Sequence, residues 1–306
     1  MPADAAGSRP RARRAPAAEA GSDRARHYDL LALDVDGTLV GANQPVAPET
    51  VAAVTAARRA GLRVCLATGR SYVETIDVWR SLRLDEPHDP MVLIGGALVS
   101  EPAGGRTLRE HAIDRDLACE YADALAEHGH SALTIVDAWR WGLDYYLAEG
   151  PDADELQRLW FGKMDVAVRR TPRLSDVTDL HPPLRINAVL DGGDGEDLAR
   201  RLRERFAGRL RIHAILAPNY GVWIVEAFDA AVSKWAALRY VAEGLSVPPS
   251  RIVAVGDDVN DLDMIRHAGL GAAMAKAPGH VRDEADHVVA GTIADFIAAL
   301  AAGRFD

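Results

Sequence analysis

The chain has 306 residues, of which 48% are apolar and 26% are charged. This composition is typical of a soluble globular protein with one or two domains. The formal net charge of −10 excludes the dominance of Lys and Arg that an electrostatic nucleic-acid surface requires. The two cysteines, Cys65 and Cys119, are too few for a disulfide framework or a cysteine-rich zinc site, so we expect a reducing, cytoplasmic setting.

The first 26 residues are rich in Ala, Arg, Pro and Gly and contain no apolar stretch that resembles the core of a signal peptide. We predict that residues 1–26 form a disordered tail. No run in the chain approaches the roughly 20 apolar residues that span a bilayer, so we expect no membrane association.

From Tyr28 onward, strand-like apolar runs alternate with helical patterns. In chain order, the sequence predicts a strand at 30–34, a helix at about 48–60, a strand at 63–67, a helix from Ser71 and a strand at 91–96. Such alternation is typical of parallel strands joined by crossover helices. The strands lack polar alternation, which indicates that both faces of the sheet are covered.

The middle of the chain, residues 98–217, has a different pattern. The runs "SALTIVDA" and "WGLDYYLA" indicate paired strands, and a helix at about 196–207 lies between two further strands. We interpret this part as an inserted α+β cap that covers a substrate. Four aromatic residues of the cap fit either a sugar-stacking surface or the cap core: Trp139, Trp141, Tyr145 and Tyr146.

The first pattern resumes after the insert. It predicts a helix at 233–243, a strand at 251–257, a short helix at 260–268 and a strand at 270–275. The two ends of the chain, 27–97 and 218–306, therefore form one catalytic core. We predict an α/β fold with a Rossmann-like, doubly wound parallel sheet and an inserted α+β cap.

Acidic residues follow the strands of this core. In an open α/β sheet, ligands bind outside the carboxyl ends of the strands, and five carboxylates fall at that edge: Asp34, Asp36, Asp257, Asp258 and Asp261. So many ionised groups cannot share one crevice without a cation. All-oxygen ligation favours Mg²⁺, which joins one or two carboxylates to a substrate phosphate.

Groups that bind anions complement the carboxylates. Thr68 and Gly69 in "TGRSYVE" precede a helix whose Ser71 and Glu74 fit a capping box, and helix N-termini attract phosphate. Lys234 lies in the first turn of another predicted helix, where a cation is ordinarily unfavourable. That position indicates a nearby anion.

Four of these segments, in this order, resemble the motifs of the haloacid dehalogenase superfamily of phosphatases: "DVDGTLV", "LATGR", Lys234 within "AVSKWAAL", and "GDDVND". The position of the cap between the second motif and the lysine resembles the Cof-type branch, subfamily IIB, which has a C2B cap. The resemblance covers about residues 28–298.

The resemblance implies a role for each matching residue. Asp34 would be the nucleophile and a metal ligand, and Asp36 would be the general acid and base, with its backbone carbonyl also on the metal. Asp257 would complete the Mg²⁺ site, and Asp261 would support Lys234 or a metal-bound water. The phosphoryl group would be held by Thr68, Lys234, Asn260 and the backbone N–H groups of Val35 and Gly69.

The residues agree with that chemistry. An aspartate with a pKa of ~3.9 is ionised at neutral pH and attacks phosphorus without a base, whereas Asp36 needs a pKa raised by acidic neighbours to carry a proton. We predict a Mg²⁺-dependent phosphomonoesterase acting on a small phosphorylated metabolite, foremost a sugar or polyol phosphate, through an aspartyl phosphate.

Two alternatives use the same nucleophile. A phosphotransferase or phosphomutase would pass the phosphoryl group from Asp34 to another alcohol, and a signalling module would only accept it. The second alternative needs neither Asp36 nor a cap. One position departs from the family pattern, because Gly95 in "LIGGALV" stands where Cof-type sequences usually have Asn, and this difference bears on substrate choice.

Overall fold

The computed structural model describes residues 27–41, 44–84, 89–152, 161–162, 165–190, 195–217 and 221–305. The predicted tail, 1–26, lies outside this part. The strands are β1 Leu30–Leu33, β2 Arg63–Leu66, β3 Met91–Leu93, β4 Leu98–Ser100, β5 Thr107–Glu110, β6 Ala132–Ile135, β7 Tyr145–Ala148, β8 Val168–Thr171, β9 Arg185–Leu190, β10 Leu210–Ala217, β11 Val222–Asp229, β12 Ile252–Gly256, β13 Leu270–Met274 and β14 His287–Val289. The helices in this part are α1 Pro48–Arg59, α2 Tyr72–Ser81, α3 Arg115–Glu127, α4 Ala138–Trp141, α5 Gly195–Arg205, α6 Lys234–Gly244, α7 Leu262–His267, α8 Gly279–Arg282 and α9 Ile293–Ala301.

Five parallel strands form the core sheet, in the order β14-β13-β12-β1-β2. All four residues of β1 are buried, and they alternate between two apolar clusters. Leu31 and Leu33 pack with the cluster that contains α1 and α9, whereas Leu30 and Ala32 pack with the cluster that contains α6. Helices therefore cover both faces of the sheet, as its uninterrupted apolar runs predicted.

Six strands form a second sheet, in the order β10-β11-β9-β6-β7-β8. Its pairs are antiparallel, except that β7 and β8 are parallel. Helices α3 and α5 pack on one face through Tyr121, Leu125, Leu198 and Leu202, which share a buried cluster with Ile186 and Ala188 of β9. The α/β core with an α+β insert is therefore confirmed.

The strand pairing bears on the predicted domain boundaries, 98 and 217. Strand β11, at 222–229, pairs with β9 and β10 and thus extends the antiparallel sheet beyond residue 217. Strands β4 and β5 pair with β3 in a separate three-stranded sheet, and an isolated bridge between Ala67 and Val92 joins this sheet to the core. We therefore propose a cap that extends from about residue 111 to Asp229.

The four cap aromatics fall into two pairs. Tyr146 is buried in the cluster under α3 and α5, so for this residue the core interpretation is correct. Tyr145 is also buried, but it lies on the opposite face of the sheet, where its ring packs against Phe161. Trp139 and Trp141 are 54% and 42% exposed, and Trp141 stacks on His181 with ring centroids 4.5 Å apart. The two tryptophans therefore lie on the cap surface.

Candidate active site

The predicted site residues converge at the carboxyl end of the core sheet. Asp34 directly follows β1 and donates its backbone N–H to the carbonyl of Val255 at 3.0 Å, and Asp257 directly follows β12. Thr68 lies just beyond β2 and donates its N–H to Val92 at 2.9 Å. Because neighbouring strands are parallel, residues that are far apart in sequence lie together at the carboxyl edge of the core sheet, as the topology predicts.

Lys234 lies at the centre of this edge. Its Nζ is 2.6 Å from Asp34 Oδ1 and 2.6 Å from Asp261 Oδ1, and the lysine is only 1% exposed. Burial lowers the pKa of Lys234, but the two carboxylates raise it more, so the pKa lies above its ordinary value. The two carboxylates therefore favour the charged form of Lys234, and the anions inferred from its position at the start of α6 are these two aspartates.

Asp261 is held in place by the loop that follows β12. Its Oδ2 accepts the backbone N–H groups of Asp257 and Asp258 at 2.9 and 3.1 Å, while its Oδ1 accepts Lys234. Both carboxylate oxygens thus have partners within the protein. This arrangement fits the predicted role of Asp261 in supporting Lys234.

Asp257 is oriented by the turn that follows β1. Thr38 Oγ1 donates to Asp257 Oδ1 at 3.1 Å. Gly37 has φ +80°, and a Cβ at this position would lie 2.0 Å from Asp257 Oδ2. Only glycine lets the backbone approach the carboxylate so closely.

The carboxylates fit a divalent cation. Asp34, Asp257 and Asp261 each place one oxygen within 4.8 Å of the others. Burial raises the pKa of Asp34, Lys234 lowers it, and Asp261 and Asp257 raise it further, so that it lies well above its ordinary value. Burial and Asp261 raise the pKa of Asp257 to about 6. A hard cation would relieve this repulsion, and the donors are the oxygens that Mg²⁺ prefers.

Asp36 has a different neighbour from the one expected. We predicted acidic surroundings, but Arg70 Nε and Nη2 lie 2.7 and 2.5 Å from the two oxygens of Asp36. Arg70 also donates to the carbonyl of Glu74 at 3.1 Å, so it is anchored on α2. The prediction of acidic surroundings was wrong, because the side chain of Asp36 is directed toward the start of α2.

The predicted phosphate-binding groups border the same crevice. Thr68 is fully buried, and its Oγ1 accepts the backbone N–H of Arg70 at 3.1 Å. Asn260 Nδ2 lies 3.9 Å from the point that a Cβ on Gly69 would occupy. Val35 is buried in the turn after β1. The capping box is present, because Glu74 Oε2 accepts the N–H of Ser71 at 2.9 Å.

Gly95 lies against an aromatic ring of the cap. It has φ +61°, and a Cβ on it would be 2.7 Å from Cζ of Phe228. Phe228 is 1% exposed. The ring therefore fills the space that a side chain at position 95 would need.

We expect Gly95→Asn to destabilise the protein by about 1–3 kcal/mol, the usual cost of overpacking a core. Asparagine tolerates a positive φ, so the cost would come mainly from Phe228. A double-mutant cycle with Phe228→Leu, followed by denaturant unfolding, measures this contribution. The substitution should cost less in the Phe228→Leu background, and additive effects would contradict the account.

Comparisons with known proteins identify the family. The model of the haloacid dehalogenase-like hydrolases matches residues 31–299. The chain belongs to this family. The resemblance to its Cof-type phosphatases is confirmed, and the protein is a phosphatase of the haloacid dehalogenase superfamily.

Two relatives illustrate the range of this family. A phosphoglycolate phosphatase of Natronomonas pharaonis is 29% identical over 275 residues, which cover 90% of this chain and 97% of that protein. A 5-amino-6-(5-phospho-D-ribitylamino)uracil phosphatase of Bacillus subtilis is 25% identical over 276 residues, which cover 88% and 94%. The match therefore includes both the core and the cap.

Solved structures have the same fold. A haloacid dehalogenase-like hydrolase from Bacteroides thetaiotaomicron has a TM-score of 0.70 and 22% identity, and the match covers 88% of this chain and 98% of that one. A subclass IIB sugar phosphatase has a TM-score of 0.71 and 18% identity, with 90% and 97% covered. Across the part of this phosphatase that the structure describes, no helix has the length and apolar character needed to cross a membrane.

Several site residues were not predicted from the sequence. Arg70 ends the "LATGR" motif, and its position directly after Gly69 was a usable signal. Asn187 and Glu226 are polar residues within the apolar strands "RINAVL" and "VWIVEAFD", which is also a recognisable sign of a buried polar site. The close contact of Phe228 with Gly95 had no signal in the sequence, because it depends on how the cap lies on the core.

Proposed function

We propose that this phosphatase is a Mg²⁺-dependent phosphomonoesterase that hydrolyses a small phosphorylated metabolite, foremost a sugar or polyol phosphate, through an aspartyl phosphate. The observation that carries the proposal is the position of the buried Lys234, whose Nζ lies 2.6 Å from Asp34. Two further carboxylates, Asp257 and Asp261, lie beside Asp34 at the same edge of the sheet. A nucleophile, a cation for the phosphoryl oxygens and a divalent-metal site thus lie together. Phosphoryl transfer requires mainly this kind of positioning and charge neutralisation.

In the first step, the Asp34 carboxylate attacks phosphorus and the bond between phosphorus and the ester oxygen breaks. Asp36 donates a proton to that oxygen, so the leaving group departs as an alcohol. Lys234 and Thr68, with the N–H groups of Val35 and Gly69 and the amide of Asn260, hold the phosphoryl oxygens. The product of this step is an aspartyl phosphate on Asp34.

In the second step, Asp36 takes a proton from water, which attacks the phosphorus of the aspartyl phosphate. The bond between Asp34 and phosphorus breaks and inorganic phosphate leaves. Arg70 donates to both oxygens of Asp36, which orients the carboxylate that takes this proton.

Mg²⁺ would be held by Asp34, Asp257 and the backbone carbonyl of Asp36. When bound, the ion neutralises charge on the phosphoryl group and on the carboxylates around it. Asp261 would remain on Lys234 and on the loop N–H groups that it accepts. Asp34 would therefore contact both the ion and Lys234, whereas Asp261 would support the lysine alone.

The substrate class has support from relatives. The names of matched proteins state that they act on phosphoglycolate, a phosphoribitylamino uracil, pyridoxal phosphate or sugar phosphates. All of these are small phosphorylated compounds. Cys65 and Cys119 are free thiols, which supports a cytoplasmic location.

The test is release of inorganic phosphate from a panel of phosphorylated metabolites. We expect turnover with Mg²⁺, none above background after EDTA, and recovery when Mg²⁺ is added back. Asp257→Ala should need a higher Mg²⁺ concentration for half-maximal rate, while Asp263→Ala, on α7, serves as a matched acidic control. Full turnover in metal-free buffer would contradict the metal requirement, and transfer to an alcohol without phosphate release would favour a phosphotransferase.

A further inference from the structure

Three polar side chains form a line across the middle of the cap sheet. Asn187 on β9 lies directly opposite Glu226 on β11, and Glu226 lies directly opposite His213 on β10. Residues that are opposite each other in a sheet share one face. We call Asn187, Glu226 and His213 the polar row.

The face that carries the polar row is directed at the active-site edge of the core. Arg185 is two residues from Asn187, so it shares that face, and its Nη1 donates to the carbonyl of Gly69 at 2.8 Å. Phe228, two residues from Glu226, abuts Gly95. The opposite face carries Ile186 and its neighbours, which pack under α3 and α5. The polar row is therefore held above the groups that we assign to the phosphoryl group.

The polar row has unused hydrogen-bonding capacity. Asn187 is fully buried, and neither its amide oxygen nor its amide nitrogen has a hydrogen-bond partner among the described residues. Glu226 is 3% exposed, and its Oε1 is also unsatisfied, since His213 Nδ1 lies 3.6 Å away, beyond hydrogen-bonding distance. Native proteins rarely leave such groups unpaired, because each costs about 1–3 kcal/mol. Their position above the site indicates a ligand.

The chemistry of these groups selects the ligand. A carboxylate oxygen accepts a hydrogen bond from a hydroxyl, and a carboxamide both donates and accepts, so neighbouring hydroxyls match Glu226 and Asn187. The other oxygen of Glu226, Oε2, accepts Arg185 Nη1 at 3.3 Å, so this carboxylate is paired with a cation and only Oε1 remains for a ligand.

We propose that the polar row binds hydroxyl groups of the leaving alcohol, so that the preferred substrate is the monophosphate of a polyhydroxylated compound. This inference rests on the proposed phosphatase function, and it assigns substrate selection to Asn187 and Glu226. His213 flanks them, and Arg185 positions the strands over the loop at Gly69.

The test compares two esters in matched variants. Sorbitol 6-phosphate offers hydroxyls to the polar row, whereas p-nitrophenyl phosphate offers none. The variants are Asn187→Leu and Glu226→Gln, which nearly preserve side-chain size. The control is Thr134→Val, because Thr134 is also buried with an unsatisfied hydroxyl but lies opposite Ile186, on the helix-covered face.

Each variant of the polar row should lower kcat/KM for sorbitol 6-phosphate by roughly 10–100-fold, the effect of losing one or two hydrogen bonds to a buried group. For p-nitrophenyl phosphate the fall should be about threefold at most, and Thr134→Val should affect neither ester. The wild-type protein should also prefer sorbitol 6-phosphate to 2-phosphoglycolate, whose leaving group offers no free hydroxyl to the polar row.

Three outcomes would overturn the inference while leaving the phosphatase function intact. These are an equal fall for both esters, no fall for sorbitol 6-phosphate, or a wild-type preference for 2-phosphoglycolate. Circular dichroism and thermal unfolding of each variant separate a loss of recognition from a loss of fold. If the wild-type protein releases phosphate from none of the three esters with Mg²⁺ present, the proposed function itself fails.

Discussion

Replacing Asp34 with asparagine is expected to abolish turnover and to leave no covalent phosphoenzyme. The amide nearly preserves the shape of the side chain, but it cannot attack phosphorus. Lys234, 2.6 Å away, would keep its second partner, Asp261, so the fold should persist. Phosphate release and rapid-quench labelling of the variant measure both effects, and a labelled Asp34→Asn protein would exclude Asp34 as the nucleophile.

The matched change Asp36→Asn separates the two aspartates. It leaves the nucleophile but removes proton transfer, a contribution of typically ~10²–10⁴-fold. Phosphorylation by an alkyl phosphate should fall by that factor. Phosphorylation by p-nitrophenyl phosphate should fall much less, because its leaving group needs little protonation. The phosphoenzyme should also persist, and equal losses for both esters would remove Asp36 from the role of general acid.

Replacing Lys234 with methionine is expected to have the second-largest effect. The substitution leaves Asp34 and Asp261 buried without their shared cation, and breaking a buried ion pair costs about 3–5 kcal/mol. We expect a loss of this size in the free energy of unfolding in metal-free buffer. Activity should fall by at least ~10²-fold, because the charge that neutralises the phosphoryl oxygens is lost.

Lys276→Met provides the control for this prediction. Lys276 is exposed but lies close enough to Asp257 to lower the pKa of that carboxyl group. Lys276→Met therefore makes the same substitution near the site at a lysine that is not buried. Its effect on the free energy of unfolding should stay within about 0.5 kcal/mol. Equal effects of the two substitutions on stability, measured by denaturant unfolding, would contradict the buried ion-pair account.

The parallel core and the convergence of its acidic residues could be predicted from the sequence. Asp34 and Asp257 each follow a buried strand, and parallel strands end at one edge, so their proximity follows from topology alone. Lys234 could also be placed there, because a cation in the first turn of a helix indicates an anion nearby. These inferences depend on local pattern and on one rule of sheet geometry.

Contacts that depend on side-chain direction could not be predicted. The pairing of Asp36 with Arg70 is set by the path of the turn after β1 and by the orientation of α2, which no local pattern specifies. The sequence also did not predict that Val222–Asp229 belongs to the cap sheet, because strand pairing depends on contacts between distant segments. The apolar pattern of this strand, which lies at the start of the second core segment, is equally consistent with a core strand and with a cap strand.

The polar row could be predicted from the sequence only in part. Asn187 and Glu226 were visible as polar residues in apolar strands, but their common function requires the register between β9 and β11. A shift of one residue would move either side chain to the helix-covered face. Sequence pattern alone does not determine that register.

The central claim, that Asp34 carries the phosphoryl group, is tested most directly by trapping the intermediate. Asp36→Asn protein would be mixed with p-nitrophenyl phosphate and Mg²⁺, quenched in acid, reduced with borohydride and digested for mass spectrometry. Reduction converts an aspartyl phosphate to homoserine. We predict homoserine at position 34; aspartate there, with a phosphorylated or reduced residue elsewhere, would contradict the assignment of Asp34 as the nucleophile.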